Sequence, residues 1–204
     1  MNYRLAVLTH AQHDERPAIQ AFLAHVEPQP AVIEVFRDIA PQRGFCAATA
    51  RLWRMCASAP QEWIVWLEHD FRLCRPVHLR DLAAVMDERP WLFQMALMRD
   101  AYSTEEHAAG GLFELRRDDF APRAHVRGTN DMRPWLQMPW FTTNPSLMRR
   151  QFMADHPFPD DGQEHCEGRF GIALAEQGYT FGTWGSGEVW CNHVGVRDGS
   201  GHGY

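Results

Sequence analysis

The sequence has no run approaching the roughly 18 apolar residues of a membrane helix, and its N-terminus has no long apolar stretch of the kind found in secretory leaders. Neither a signal peptide nor a membrane span is therefore expected. It also lacks any pair of cysteines two residues apart. The five cysteines (Cys46, Cys56, Cys74, Cys166 and Cys191) are an odd number without metal-site spacing. This pattern predicts reduced thiols in a cytoplasmic setting and argues against a disulfide frame or a zinc site. Excess positive charge is missing too. The formal net charge is -6, which argues against a sequence-independent nucleic-acid binder. No internal repeat and no low-complexity segment is present.

What remains is an ordinary globular composition, 45% hydrophobic and 23% charged over 204 residues, enough for one large domain or two small ones and for a real core. Eight Trp and eleven His are high counts, of use in sites that stack rings or bind metals. The strongest local signal is Trp63-Ile64-Val65-Trp66-Leu67, a short apolar run that ends in Glu68-His69-Asp70. Its length and its β-branched and aromatic content predict a central strand buried on both faces, as in a parallel or mixed α/β sheet. Ligands of such sheets bind at the carboxyl ends of the strands. Side chains two apart on an extended backbone point the same way, so Glu68 and Asp70 can reach one hard cation. The competing reading is a charged turn after a strand.

The rest of the chain reads as alternating elements. Arg4 to Thr9 is a first strand, followed by a polar loop with Asp14 and Arg16. Pro17 opens a helix. Ala31 to Phe36 is a second strand closed by Arg37-Asp38, and Pro41-Gln42-Arg43-Gly44 is a turn. Phe45 to Ala59 is a helix rich in small residues, suited to close packing on a sheet. A helix through Val77 to Met86 and a strand over Trp91 to Leu97 follow. Residues 98–139 show little periodicity and read as a loop region or a small excursion over one end of the sheet. Trp140 to Pro145 reads as a short strand or turn, and Ser146 as the cap of a helix through Phe152. A helix from about Glu164 to Gln177 ends at Gly178. Thr180 to Trp184 and Val189 to His193 are late strands. The tail from Val194 to Tyr204 carries four glycines.

An acidic-x-acidic motif closing a central strand, an acidic helix start about a hundred residues later and a histidine closing a late strand resemble, in that order, the GT-A superfamily of nucleotide-sugar-dependent glycosyltransferases, in its inverting family-2-like branch. The matching segments are Arg43-Gly44, the small-residue helix Ala47 to Ala59, the strand Trp63 to Leu67, and Glu68-His69-Asp70. Glu167, eleven positions before Gly178, matches the family's acidic helix start. Cys191-Asn192-His193-Val194-Gly195-Val196-Arg197 resembles its H-x-G segment. Glu68 departs from the pattern, standing where the family has its first Asp.

The resemblance implies a single α/β domain with a GT-A-like (Rossmann-like), open, mixed and mostly parallel sheet, helices on both faces, a nucleotide-binding half over 1–97 and an acceptor-binding half over 98–204. It also implies a nucleotide-diphosphate sugar donor and a divalent cation, Mn²⁺ or Mg²⁺. A diphosphate leaving group departs with negative charge, which a carboxylate-held cation neutralises. Oxygen donors select Mg²⁺ or Mn²⁺, and an imidazole favours Mn²⁺. Asp70 is the expected first ligand, with Glu68 on the ribose or a metal-bound water and His193 a second ligand or a diphosphate contact. An inverting transfer needs a carboxylate base. Glu167 is the choice by spacing and Glu164 the runner-up, although acids at a helix start also suit its dipole. Thr9, Arg16, Asp38 and Arg43 are placed for the nucleotide. Arg197 and the glycine-rich tail are placed to fold over the diphosphate as a lid. The acceptor is a glycan, a protein or a modified nucleic-acid base.

Two other classes compete. A nucleotidyltransferase uses a similar sheet but wants a glycine-rich phosphate loop after its first strand, and Thr9-His10-Ala11-Gln12-His13 holds no glycine. A non-catalytic sugar- or nucleotide-binding module of the same fold would show no metal-dependent turnover of a nucleotide sugar.

Overall fold

The computed structural model describes residues 1–10, 13–38, 44–123, 134–163 and 165–195. The elements in chain order are β1 (Tyr3–His10), α1 (Arg16–His25), β2 (Val26–Glu27), β3 (Val32–Asp38), α2 (Gly44–Ala57), β4 (Trp63–Glu68), β5 (Phe71–Leu73), β6 (Val77–His78) and α3 (Leu79–Asp87). They continue with β7 (Leu92–Leu97), α4 (Thr104–Ala109), α5 (Leu112–Leu115), a 3-10 turn (Arg117–Asp119), β8 (Ala121–Arg123), β9 (Trp135–Met138), β10 (Ser146–Arg149), α6 (Arg150–Asp155), α7 (Cys166–Glu176), β11 (Thr180–Trp184) and β12 (Cys191–His193).

Among the described residues, eight strands form one sheet in the order β3-β1-β4-β10-β7-β11-β9-β8. β1 is parallel to both β3 and β4, and β7 to β11; β10 runs antiparallel between β4 and β7, and β9 antiparallel between β11 and β8. Six strands therefore share one direction, the mixed but mostly parallel arrangement expected of the sequence. β4 is buried along its whole length, in agreement with its unbroken apolar run. Helix α2 packs on β1 and β3, and α3 on β7 and β10. The small residues Ala48, Thr49 and Ala50 of α2 are fully or almost fully buried, which lets its backbone approach closely.

An aromatic cluster fills the space between α2, α6 and α7. Trp53 is its centre, with Phe158 at 5.6 Å and Phe170 at 5.3 Å between ring centroids. Its indole N–H donates to the carbonyls of Met153 (3.0 Å) and His156 (2.9 Å), so the ring is buried without an orphaned donor.

Three expectations are corrected. First, Ser146 caps no helix: Ser146–Arg149 is β10, inside the sheet, and the helix starts at Arg150. Ser146-Leu147-Met148 is a short buried apolar run, which periodicity cannot assign to strand or helix. Second, of the two readings of residues 98–139 the loop is overturned: they hold α4, α5, the 3-10 turn, strand β9 and the edge strand β8, while 124–133 lie outside the described residues. Ser103 caps α4 by accepting from the Glu106 N–H, and Gly110 ends it in the left-handed region at φ 94°. These local signals are too short to register as periodicity. Third, the thiols are not all reduced. Cys46 and Cys166, 120 residues apart, form a disulfide that links the start of α2 to the start of α7. An odd count of cysteines cannot reveal a pair that only the fold brings together. Cys56, Cys74 and Cys191 are free. The reduced-thiol argument for a cytoplasmic setting therefore falls away.

Candidate active site

The site is built at the carboxyl end of β4. Glu68 is its last strand residue, and the His69 N–H donates to the Leu8 carbonyl, extending the ladder to β1 one residue further. Alternation then separates the three side chains. The His69 ring stacks on His13 at 4.4 Å, whereas Asp70 meets His193. Glu68 is buried and its Oε1 has no hydrogen-bond partner; Asp70 Oδ1 is buried and equally without one. Burial, then the charges of Asp70 and Glu167, push the Glu68 carboxyl well above its ordinary range. Burial also works to raise Asp70, but the hydrogen bond and charge of His193 outweigh it and hold Asp70 below its usual value.

His193 arrives from the other end of the chain because β12 is gripped on both sides. It pairs antiparallel with β5, placing His193 opposite Phe71, and Arg99 bridges to Cys191. The His193 N–H donates to Asp100 Oδ1 at 2.8 Å, and the Val194 N–H to the Asp70 carbonyl at 2.7 Å. The ring lies between Phe71 (4.8 Å) and Tyr102 (5.0 Å). Its Nε2 is 2.9 Å from Asp70 Oδ2. Gly195 closes over this pair: a methyl group there would lie 2.6 Å from Asp70 Oδ2 and 3.1 Å from His193 Nε2. Tyr102 is fixed in turn by Arg99, whose guanidinium sits over its ring and forms a two-point ion pair with buried Glu106 at 2.6 and 2.9 Å.

Glu167 lies in the first turn of α7, next to the disulfide-bonded Cys166. Its Oε1 accepts from the Thr143 backbone N–H at 2.6 Å and the Thr143 hydroxyl at 3.4 Å. Burial pushes its pKa up, and the Thr143 hydrogen bond works against the rise. Helix α7 approaches this segment closely because Gly171 has no side chain; a methyl there would lie 3.0 Å from Phe141 Cβ and 3.1 Å from its backbone N.

Asp70 and His193 meet directly, and Glu68 lies near enough to Asp70 and Glu167 for both charges to raise its pKa. Thr9 is buried at the end of β1, with its hydroxyl 3.3 Å from the His10 carbonyl. Asp38 ends β3 in register with His10 and is buried. Arg16 is exposed and held by Asp14, whose carboxyl it lowers to about 2. Arg43, Glu164 and Arg197 lie outside the described residues. Sequence reasoning missed Asp100, Thr143, Gln94 and the His13–His69 stack. Asp100 had a readable signal, since Leu92 to Met98 followed by Arg99-Asp100 repeats the apolar-then-charged pattern of β4. Gln94 had another, a lone amide inside an apolar run.

The donors present suit a hard divalent cation in part. Two buried carboxylate oxygens lack partners, and an imidazole faces one of the carboxylates. Among the described residues no three His, Cys, Asp or Glu side chains form a ready metal cage. Cations such as Mg²⁺ are commonly held by one or two carboxylates, with ligand phosphates completing the shell.

No family model matches the sequence. No curated protein matches it either. The fold is shown by solved structures: it is a GT-A-like α/β fold with a mixed sheet. The chain is similar to GalNAc-T7 in a structure with UDP, GalNAc and Mn²⁺, at TM-score 0.58 and 9% identity, covering 97% of this chain and 44% of that one. It is also similar to S. aureus TarS, at TM-score 0.53 and 10% identity, covering 95% of this chain and 37% of that one. The chain therefore spans less than half the length of either. Among the described residues no helix is long and apolar enough to cross a membrane.

Proposed function

We propose that the chain is a divalent-metal-dependent glycosyltransferase that moves a sugar, with inversion, from a nucleotide-diphosphate sugar to an acceptor hydroxyl. The observation that supports this reading is the Asp70–His193 pair at the carboxyl end of β4, with Asp70 Oδ1 buried and without a partner and the buried Glu68 carboxyl close to the charges of Asp70 and Glu167. Orphaned carboxylate oxygens are costly unless a ligand completes them. The Mn²⁺ and UDP bound by GalNAc-T7 on the same fold support the same class of ligand here.

Asp70 and His193 are the residues we assign to hold Mn²⁺ or Mg²⁺, with Glu68 directed to the ribose or to a water on that ion. When bound, the cation would supply charge neutralisation for the departing diphosphate. Thr9 and Asp38, at the ends of β1 and β3, line the nucleotide side together with Arg16. Arg43 and Arg197, outside the described residues, complete the assignment on the donor. Glu167 takes the proton from the acceptor hydroxyl as that oxygen bonds to the anomeric carbon. The bond from that carbon to the diphosphate oxygen breaks, and its electron pair leaves on the nucleoside diphosphate. A pKa raised by burial suits this task, because a base stronger than an ordinary carboxylate accepts the proton more readily. Residues 1–97 carry the donor side, and 98–204 contribute Glu167 and the acceptor side. We assign the acceptor to the glycan, protein or modified-base classes.

A thermal-shift panel of nucleoside diphosphates with and without Mn²⁺ tests the reading, since ligands that bind the folded chain raise its melting temperature by mass action. One nucleotide should stabilise only when Mn²⁺ is present. A panel without any Mn²⁺-dependent shift would reject the donor assignment.

A further inference from the structure

The geometry points to Gln94 as a positioning residue for transfer, acting through Thr142 and Thr143 on Glu167. This inference rests on the reading of Glu167 as the base.

Gln94 is the one polar side chain in the β7 run Leu92-Phe93-Gln94-Met95-Ala96-Leu97, and it is fully buried. A buried amide has to find partners for both ends, and Gln94 finds them on one residue. Its Nε2 donates to the Thr142 carbonyl at 2.5 Å, and its Oε1 accepts from the Thr142 N–H at 3.1 Å. A second donation from Nε2 to Ser146 Oγ at 2.9 Å fixes the amide's orientation, and Ser146 is itself locked in β10 between β4 and β7. The amide thus imitates a strand partner for a segment that belongs to no strand. The peptide after Thr142 carries the Thr143 N–H, which donates to Glu167 Oε1 at 2.6 Å. The Thr142 hydroxyl also accepts from the Asn144 N–H at 3.2 Å, closing the turn around that donor. A chain of hydrogen bonds therefore runs from the sheet interior to the carboxylate: Ser146, Gln94, the Thr142 backbone, the Thr143 N–H and Glu167. Gln94 does not touch the reacting atoms. It holds the donor that aims the base.

Catalytic groups displaced by about 1 Å lose on the order of 10²-fold in rate. Replacing Gln94 with Met keeps the volume and removes both ends of the amide. In Gln94→Met, kcat should fall by about 10–10²-fold while KM for the donor changes little. The free protein gives a second readout that needs no turnover. The Thr143 amide proton, shifted downfield by a short bond to a carboxylate, should move upfield and exchange faster in Gln94→Met. It should move in the same direction in Glu167→Gln. If Gln94→Met fails to fold, Ser146→Ala serves: it removes the hydroxyl that fixes the amide's orientation, and the Thr143 amide should shift the same way by a smaller amount. An unchanged Thr143 amide and unchanged kcat, alongside an inactive Glu167→Gln, would overturn the role of Gln94 alone. A fully active Glu167→Gln would overturn the base assignment itself, and this inference with it.

Discussion

His193 Nε2 lies 2.9 Å from Asp70 Oδ2 across 123 residues of sequence, and the backbone of Gly195 is folded against both. The pair is assembled by backbone bonds as much as by attraction: the Val194 N–H reaches the Asp70 carbonyl, and Asp100 holds the His193 N–H. A carboxylate kept ionised beside an imidazole, with its second oxygen buried and unpartnered, is poised for a cation. Asp70→Asn should keep the fold and lose the Mn²⁺-dependent part of nucleoside-diphosphate binding. Calorimetric titration with and without Mn²⁺ checks this, and an unchanged metal dependence would remove Asp70 as a ligand.

Gly195→Ala tests the same pair without altering a ligand. Its methyl would sit 2.6 Å from Asp70 Oδ2, too close to be tolerated, so the carboxylate or the tail has to shift. Disturbing the support of a ligand typically costs about 10–100-fold in metal affinity. That loss in Mn²⁺ affinity, with an essentially unchanged melting temperature of the free protein, is the expected outcome.

The sequence carried the frame of this site well, because its strongest element obeys its own local signals. Trp63 to Leu67 is apolar on both faces and ends in charge, and it is the buried strand β4 with Glu68 at its tip. The spacing from Gly178 puts Glu167 at a helix start, and α7 begins at Cys166, two residues later than the expected Glu164. What escaped depends on distant partners. The Cys46–Cys166 bond, the strand Ser146–Arg149 and the link from Gln94 to Thr142 all join residues tens of positions apart. No local period encodes such meetings, so a short run such as Ser146-Leu147-Met148 reads as a helix start until its neighbours β4 and β7 are known.

The disulfide should matter to both stability and site. It closes a loop of 120 residues, and removing such a cross-link from the unfolded chain typically costs about 2–4 kcal/mol. Cys46→Ser, or reduction of the native protein, should lower the unfolding free energy by that order and move the denaturation midpoint down accordingly. Amides at the start of α7 should also exchange faster, because Cys166 directly precedes Glu167. Equal midpoints with and without reductant would show that the bond adds nothing to the folded state.

Transfer should depend on pH through Glu167. Burial raises its pKa, so the native state holds the proton at pH values where an unfolded glutamate has lost it. Two consequences follow, with opposite signs. The base is inactive while protonated, so the acid limb of kcat/KM should lie above the ordinary carboxylate range and activity should rise through it with increasing pH. Over the same window the folded state binds more protons than the unfolded one, so the contribution of Glu167 to stability falls as pH rises from the ordinary glutamate value towards the raised one. Thr143→Pro removes the N–H that opposes the rise and should move the acid limb further up. A limb that stays in place would detach this carboxylate from the rate.

Glu167→Gln is the sharpest test of the mechanism. A base that acts only in the transfer step affects turnover and hardly affects donor binding. Glu167 makes its hydrogen bonds to Thr143, and the amide of Gln keeps an oxygen that can accept them. The helix start should therefore survive the change, with nucleotide-sugar affinity within a few-fold of the native value. Transfer should fall by the order of 10²–10⁴, the usual contribution of one general base. Glu164→Gln is the matching control, three residues earlier in the chain. It should retain activity. An inactive Glu164→Gln beside an active Glu167→Gln would move the base to Glu164. Full activity in both would replace the inverting mechanism with a retaining one, in which no carboxylate at this helix start is needed to take the acceptor's proton.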